Sequence, residues 1–493
     1  MKIILAGYNV DSDVIDALKE VSPERRDVTP ETLSASYARI SRDPRPVDEL
    51  RKAAREEVDK ARRSNQTIIF KMGHHSVAEH AVFNFDLIGV SRLAIEEIER
   101  FRLASYTEKS QRYITLHGDF LVPQEVRKAG QEDIFTGMVH QQNDLYRRLY
   151  DKLRPWFFER YSELALDKKR HAVLDGWAKE DARYAVCLAT LGQLGMTVNA
   201  RTLELMIRRF SSRKWAELQE FNRRIYELAH GIAPSIILFT EPGKFDAETY
   251  PSLGNQVRSM EWKETYPQEP VRLVAWTADA DDRLAAALLH TVSHEPYEAC
   301  FKKARKMPAG QKESFIRKAF ESMEFYDTVL REFEFVDLTF EVIVSATCFA
   351  QLKRHRMATL TWQPYDTNLG VTVPLSVEET GMKDDFLRIM EKTEDVYRVL
   401  KKKIEFGADY ILTNAHRRRV LFKINARELY HFARLREDST AQWDIRHMAR
   451  EIGRLARKVM PLTCLLLGSK EDYPRLYKQV FGKEPHLKPP PYV

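Results

Sequence analysis

The sequence predicts an α+β chain made of two tandem modules, each a short sheet flanked by helices. Three observations carry this. A strand-like stretch that runs into an Arg-X-Arg triplet occurs twice, within residues 81–113 and 335–366. An Asn-Ala-Arg element follows each, at 199–201 and at 425–427. The segments that open the copies, MKIILAGYNVDSDVIDAL and VRLVAWTADADDRLAAAL, match as well. The expected modules span 1–245 and 270–493, joined by a linker over 246–269. A chain of 493 residues, 44% hydrophobic and 30% charged, can bury a core in each module and is not a disordered sequence.

The elements follow in order. Phe83, Phe85 and Leu87 alternate with Asn84 and Asp86, and Leu338, Phe340 and Val342 alternate with Asp337, Thr339 and Glu341. Period two puts each apolar set on one face of a strand. The triplets come next, Arg100-Phe101-Arg102 and Arg354-His355-Arg356. Asn199 and Asn425 then read as N-caps of helices, the later one with an apolar face of Leu429, Phe432 and Ala433. Arg100 lies 99 residues before Asn199, but Arg354 only 71 before Asn425. The first copy therefore carries extra, helical residues between about 125 and 180. The bridge FTEPGKFDAETYPSLGNQ is rich in Pro, Gly and polar residues.

Composition excludes several classes. No apolar run approaches the ~18 residues of a membrane span, and the N-terminus turns acidic too early for a signal peptide. Cys187, Cys300, Cys348 and Cys464 form no CxxC pair, which fits a reducing cytoplasm and no cysteine-rich zinc site. A net charge of +6, from 78 basic and 72 acidic residues, does not imply nucleic acid. His74, His75 and His80 lack the spacing of a zincin helix, and no GxGxxG follows the first strand. The run from His416 to Arg419 fits either a solvated face or a phosphate contact. KPPPY near the C-terminus reads as extended polyproline.

An Arg-X-Arg triplet concentrates permanent cations with forked donors, which suit phosphorylated ligands; a solvated charged face is the plainer reading. Recurrence beside a second Arg-bearing element favours the ligand. These residues resemble the flavin-dependent thymidylate synthases, whose signature is Arg-His-Arg, then Ser, then Glu-X-Ser-X-Arg-Tyr. The first copy reads RFRLASYTEKSQRY, preceded by GHHSVAEH and GVSR; the second carries RHR, Asn-Ala-Arg and LREDSTAQWDI.

The resemblance implies FAD as cofactor, NADPH and methylenetetrahydrofolate as co-substrates, and dUMP as substrate. It places Ser41, His74, Ser76, Glu79, Arg100, Arg102, Asn199 and Arg201 of the first copy at the flavin. Arg354, His355, Arg356, Asn425, Arg427 and His431 of the second match the same positions, His431 standing where Asn is expected. Glu108, Ser110, Arg112 and Arg183 match the nucleotide loop and its Arg, and Gln351, Arg354 and Arg436 match further dUMP positions. Arg436 corresponds to the Arg that stabilises the ionised uracil ring and is the catalytic candidate. An ion pair with Glu437 or Asp438 is its alternative role.

The departures are complementary. In the second copy the loop has become Trp362, Pro364 and Asp366, and Asp409 stands where Arg183 stands in the first. In the first, Glu97 replaces Gln, Leu205 replaces Asn, and Phe210 occupies the place of the uracil-facing Arg. Chemistry agrees with a route that needs no thiol: Cys187 and Cys464 sit in apolar runs, and a cation near pyrimidine N3 can lower its pKa and polarise the ring instead.

Three readings follow. The chain is an FAD-dependent dUMP methylase with composite sites built from both halves; or a related flavoenzyme acting on a different pyrimidine nucleotide; or a non-catalytic nucleotide- or flavin-binding scaffold. The family assembles four modules, so two chains are expected to form a homodimer.

Overall fold

The computed structural model describes residues 2–8, 29–39, 43–45, 47–71, 74–262 and 268–486. Both copies build the same four-stranded antiparallel sheet. In the first, β1 (Lys2–Tyr8), β2 (Val82–Ser91), β3 (Ala104–Glu108) and β4 (Leu191–Asn199) lie in the order β1-β2-β4-β3. In the second, β5 (Val271–Trp276), β6 (Asp337–Ser345), β7 (Thr359–Trp362) and β8 (Arg417–Asn425) lie in the order β5-β6-β8-β7. The expected α+β class is the observed one.

The period-two reading holds at side-chain level. Phe83, Phe85 and Leu87 are buried, as are Leu338, Phe340 and Val342. Each such side chain contributes roughly 1.5–3 kcal/mol by leaving water.

The helices that bear on the sites are α1 (Arg92–Ile98), α2 (Glu132–Arg160), α3 (His171–Ala182), α4 (Ala200–Ser211), α5 (Ala216–Ile232), α6 (Ala346–Leu352), α7 (Lys383–Lys403), α8 (Ala426–Arg436) and α9 (Trp443–Val459). Both Asn caps form: Asn199 Oδ1 accepts from Thr202 N at 2.9 Å, and Asn425 Oδ1 from Glu428 N at 2.8 Å. Ser91 and Ser345 cap α1 and α6 in the same way, at 3.0 and 2.9 Å. The extra residues of the first copy are helical, as the spacing required; α2 alone is 29 residues long.

The bridge between copies contains a helix, Lys244–Arg258, with no buried residue. Asp246 at its start accepts from Gly243 N at 3.2 Å and pairs with Arg208 and Arg209. That local cap and ion pairing support a helix despite Pro251 within it.

The chain divides into two compact units. Unit 1 comprises Met1–Glu264 with Leu375–Thr413; unit 2 comprises Thr265–Pro374 with Asn414–Val493. α7 and the turn Ala408–Ile411 thus pack in unit 1 although their sequence belongs to the second copy. Gln142 of α2 donates from Nε2 to both Thr393 Oγ1 and Ile411 O, each at 2.9 Å. Cys187 forms an antiparallel bridge with Thr413, its repeat equivalent, giving unit 1 a local two-fold relation.

Candidate nucleotide and flavin sites

Unit 1 gathers an arginine cluster beside a cavity. Strand β3 ends at Glu108, and the chain then loops through Ser110 and Arg112. Arg112 N donates to Ser110 Oγ at 3.2 Å, tying the loop, and Arg112 Nε donates to the Glu180 carboxylate of α3. Arg183 follows α3 in a single 3-10 turn and is buried. Burial pulls Arg183 below the usual arginine range; Glu180 opposes this, while Arg112 and Arg92 add repulsion. Arg183 therefore senses the charges of both Arg112 and Arg92.

Arg92 has no matched partner in the sequence pattern that points to it. It opens α1, is 3% exposed, and pairs with Glu108 at 3.5 Å and Glu96 at 3.6 Å. A buried arginine just after a strand, in GVSR, was the available signal. Arg92 and Glu108 line a cavity of about 360 Å³, together with Gly89, Ile95, Gln111 and Gly192. Two glycines shape it. Gly89 has φ of 72° and creates a register shift between Ile88 and Val90 in the β2–β4 pairing. A Cβ at Gly192 would lie 2.9 Å from Ile95 Cδ1. The first opens the strand pair beside the cavity, and the second keeps side-chain bulk out of it.

The corresponding place in unit 2 is filled. β6 pairs with β8 without a register shift, and Arg418 lies opposite Val344 as Gly192 lies opposite Val90. The Arg418 guanidinium stands 3.6 Å from the Tyr365 ring centroid and 4.9 Å from that of Phe349. Trp362 meets Phe349 edge-on at 5.0 Å. By repeat position these four replace Gly192, Gln111, Ile95 and Glu108. Cation–π contact and aromatic packing occupy the space that is hollow in unit 1. The run at 416–419 is therefore not a solvated face. Alternation along β8 buries Arg418, Arg417 donates to Thr372 Oγ1 at 2.9 Å, and Arg419 pairs with Glu341 at 3.3 Å.

Unit 2 instead gathers the residues of the other set. Arg436, ending α8, donates from Nε to His355 Nε2 at 2.9 Å and from Nη2 to Gln351 O at 3.3 Å. Gln351 is buried and Gln351 Nε2 donates to Gln442 Oε1 at 3.5 Å. His355 is buried between the exposed Arg354 and Arg356. Its Nδ1 lies 3.1 Å from Glu428 Oε1. Burial, then the charges of Arg436 and His431, hold His355 well below its ordinary pKa. In the first copy the same two positions are Phe101 and Phe210, whose rings meet edge-on at 5.6 Å.

The flavin candidates fall into two matching groups. In unit 1, Arg201 pairs with Glu79 at 2.5 Å; in unit 2, Arg427 pairs with Glu334 at 2.9 Å. Arg427 also donates to Val329 O at 3.0 Å and lines a cavity of about 210 Å³ with Phe325, Tyr326, Tyr430, His431 and Arg434. Asn199 and Asn425 are engaged as caps. His74 and Ser76 are exposed around the 3-10 helix His75–His80. Arg102 is exposed, and Arg100 donates to Glu97 at 3.2 Å. Ser41 lies outside the described residues.

All four cysteines are buried and free. Burial raises the thiol of Cys187 to about 11 and those of Cys348 and Cys464 well above their ordinary value, so none of these three is a thiolate near neutral pH.

Comparison with known proteins agrees with the duplication. The chain is 24% identical over 422 residues to a UPF0159 protein of Thermoplasma acidophilum, covering 78% of this chain and 83% of that one. It is 32% identical over 219 residues to the flavin-dependent thymidylate synthase of Geobacter sulfurreducens, covering 43% of this chain and 83% of the relative. A solved flavin-dependent thymidylate synthase from Helicobacter pylori, complexed with FAD and dUMP, aligns at 17% identity with a TM-score of 0.30, covering 49% of this chain and all of that one. The family model described as thymidylate synthase complementing protein matches residues 26–235 and again 272–462, one region per copy. The chain belongs to that family, as a tandem duplication of its module.

Proposed function

We propose that this protein methylates dUMP reductively to dTMP, using FAD, methylenetetrahydrofolate and NADPH. The observation that carries the reading is in unit 1: Arg92 and Glu108 line an open cavity, and Arg92 and Arg112 both bear electrostatically on the buried Arg183, with Ser110 in the Arg112 loop. Forked cations and a hydroxyl suit a phosphate dianion, and the cavity suits a pyrimidine nucleoside. Family membership and the Geobacter sulfurreducens relative support the chemistry.

The residues fit a flavin on their chemistry. Aromatic rings at Phe325, Tyr326 and Tyr430 suit a planar ring system, and Arg427, Arg434 and His431 beside them suit its phosphates. When bound, the flavin carries reducing equivalents from the nicotinamide to the one-carbon unit. The protein's own contribution is electrostatic. Arg112 and Arg183 hold the phosphate, and Arg436 stabilises negative charge on the pyrimidine ring, taking the place of a cysteine nucleophile.

Each copy holds what the other has lost. The second copy lacks the phosphate loop and the hollow; the first lacks the His–Arg pair. One functional set is completed with groups from both copies, on one chain or across a homodimer, which gives one nucleotide and one flavin per chain. The test is turnover of dUMP with methylenetetrahydrofolate, FAD and NADPH, together with ligand stoichiometry. Absence of turnover, with flavin bound, would favour the scaffold reading. Turnover of another pyrimidine nucleotide in place of dUMP would favour the related flavoenzyme.

A further inference from the structure

We propose that Glu428 is a positioning residue for Arg436, acting through the imidazole of His355. This rests on the reading of Arg436 as the ring-facing cation.

The argument begins with proton counting. Arginine is an obligate donor, so the 2.9 Å contact from Arg436 Nε requires a lone pair on His355 Nε2. A neutral imidazole then carries its proton on Nδ1. That nitrogen is 3.1 Å from Glu428 Oε1, which accepts it. The carboxylate thereby selects the tautomer that can receive Arg436. The opposite tautomer would set an N–H of His355 against the N–H of Arg436. Burial of His355 and the charges of Arg436 and His431 keep the imidazole neutral, so the three groups form a directed chain. Phe432 packs edge-on against the imidazole at 4.8 Å and limits its tilt. With Nε held by His355 and Nη2 by Gln351 O, one edge of the guanidinium is fixed in plane and direction.

His355, Glu428 and His431 also bring ligand atoms within 4.8 Å of one another. A cation there would displace the Nδ1 proton and face the guanidinium already on the ring, so the cluster reads as a hydrogen-bond chain. The first copy supplies the contrast. Its equivalents of Glu428, His355 and Arg436 are Thr202, Phe101 and Phe210. All three members of the chain are replaced together, as expected if Glu428 serves only this arrangement.

The test uses the full chain with FAD, methylenetetrahydrofolate and NADPH. Glu428→Thr copies the first module, so the helix start has a precedent in the same fold. Its kcat is expected to fall about tenfold, the size of one charge-assisted hydrogen bond, while KM for dUMP stays within about twofold. Glu428→Gln keeps an oxygen that can accept from Nδ1 and is expected to recover most of the loss. Unchanged kcat in Glu428→Thr, or no recovery in Glu428→Gln, overturns the proposal. A crystal structure of Glu428→Thr gives a readout independent of turnover: Arg436 Nε should leave hydrogen-bond distance of His355 Nε2. If it stays, the positioning role is wrong whatever the activity. If the wild type shows no turnover, the function is misread, and this distance alone decides for or against the positioning role.

Discussion

The two sheets share strand order, caps and apolar alternation, yet the corresponding spaces beside them are opposite in kind. Unit 1 has a bulge at Gly89, a bare position at Gly192 and a hollow lined by Arg92 and Glu108. Unit 2 has an unbroken register and fills the equivalent space with Arg418 between Tyr365 and Phe349. At the other end of the Arg-X-Arg element the roles reverse. Unit 2 keeps a polar His355–Arg436 contact, and unit 1 packs Phe101 on Phe210. Each copy thus fills with packed rings a region that is polar or open in the other. A buried polar arrangement costs stability unless fully partnered, whereas packed rings contribute it, so the two kinds of filling differ in what they do for stability.

The comparison can be broken at several points. The largest effect is expected from Arg436→Ala: kcat should fall by roughly 10² to 10³, the range for removing a preorganised charge-stabilising donor. Phe210→Leu, at the equivalent place, should leave steady-state turnover within about twofold. Comparable losses in both variants would mean that the copies are not divided in this way.

Gly192→Arg imports the unit 2 plug into the hollow. A Cβ at this position would lie 2.9 Å from Ile95 Cδ1, so nucleotide affinity should drop by about 10²-fold while flavin content is retained. Equilibrium titration with dUMP checks this, and undiminished binding would place the nucleotide elsewhere.

Arg112→Ala should raise KM for the nucleotide by about 10- to 100-fold, corresponding to one charged hydrogen-bonding group. Asp366→Ala, its counterpart, should not change it. Steady-state kinetics on both variants sharpens the contrast.

Arg418→Gly should empty the plug in unit 2 and lower stability by about 2–3 kcal/mol through lost cation–π and packing contacts, with nucleotide stoichiometry unchanged. Denaturant unfolding measures the first and titration the second. A second nucleotide bound by this variant would show that Arg418 alone had closed the site.

The smallest effect is a change of slope with pH. Burial raises the Glu437 carboxyl from 4.5 to about 7, whereas the first copy has the uncharged Ser211 there. A raised folded value means that the native state binds the proton more tightly than the unfolded chain. Glu437 therefore contributes stability fully below about pH 4.5, and loses it as pH rises towards about 7. Glu437→Gln should flatten the stability profile in that window. An identical slope in both proteins would remove Glu437 as its source.

Much of this was readable before folding was considered. Local rules determined the duplication, the alternating strand faces, both Asn caps and the helical insertion, because each depends on neighbours a few residues apart. The resemblance also supplies two groups of candidate site residues. The buried Arg92 is not legible from local pattern, because its partner Glu108 lies on another element and nothing in GVSR announces that pairing. The run at 416–419 stayed ambiguous for the same reason: only strand pairing shows that Arg418 meets Tyr365 and Phe349.

The number of modules, their composition and the charged groups each retains follow from the residues alone. Tertiary structure decided that residues 375–413 pack with the first copy's helices, that Gly192 leaves a hollow where Arg418 fills one, and that Glu428 reaches Arg436 through His355. The physical reason is range. Periodicity and capping act along the chain, whereas a cavity, a plug or a proton-bearing contact exists only where side chains from distant segments converge, and their fit depends on atomic volumes and donor positions that no local pattern encodes.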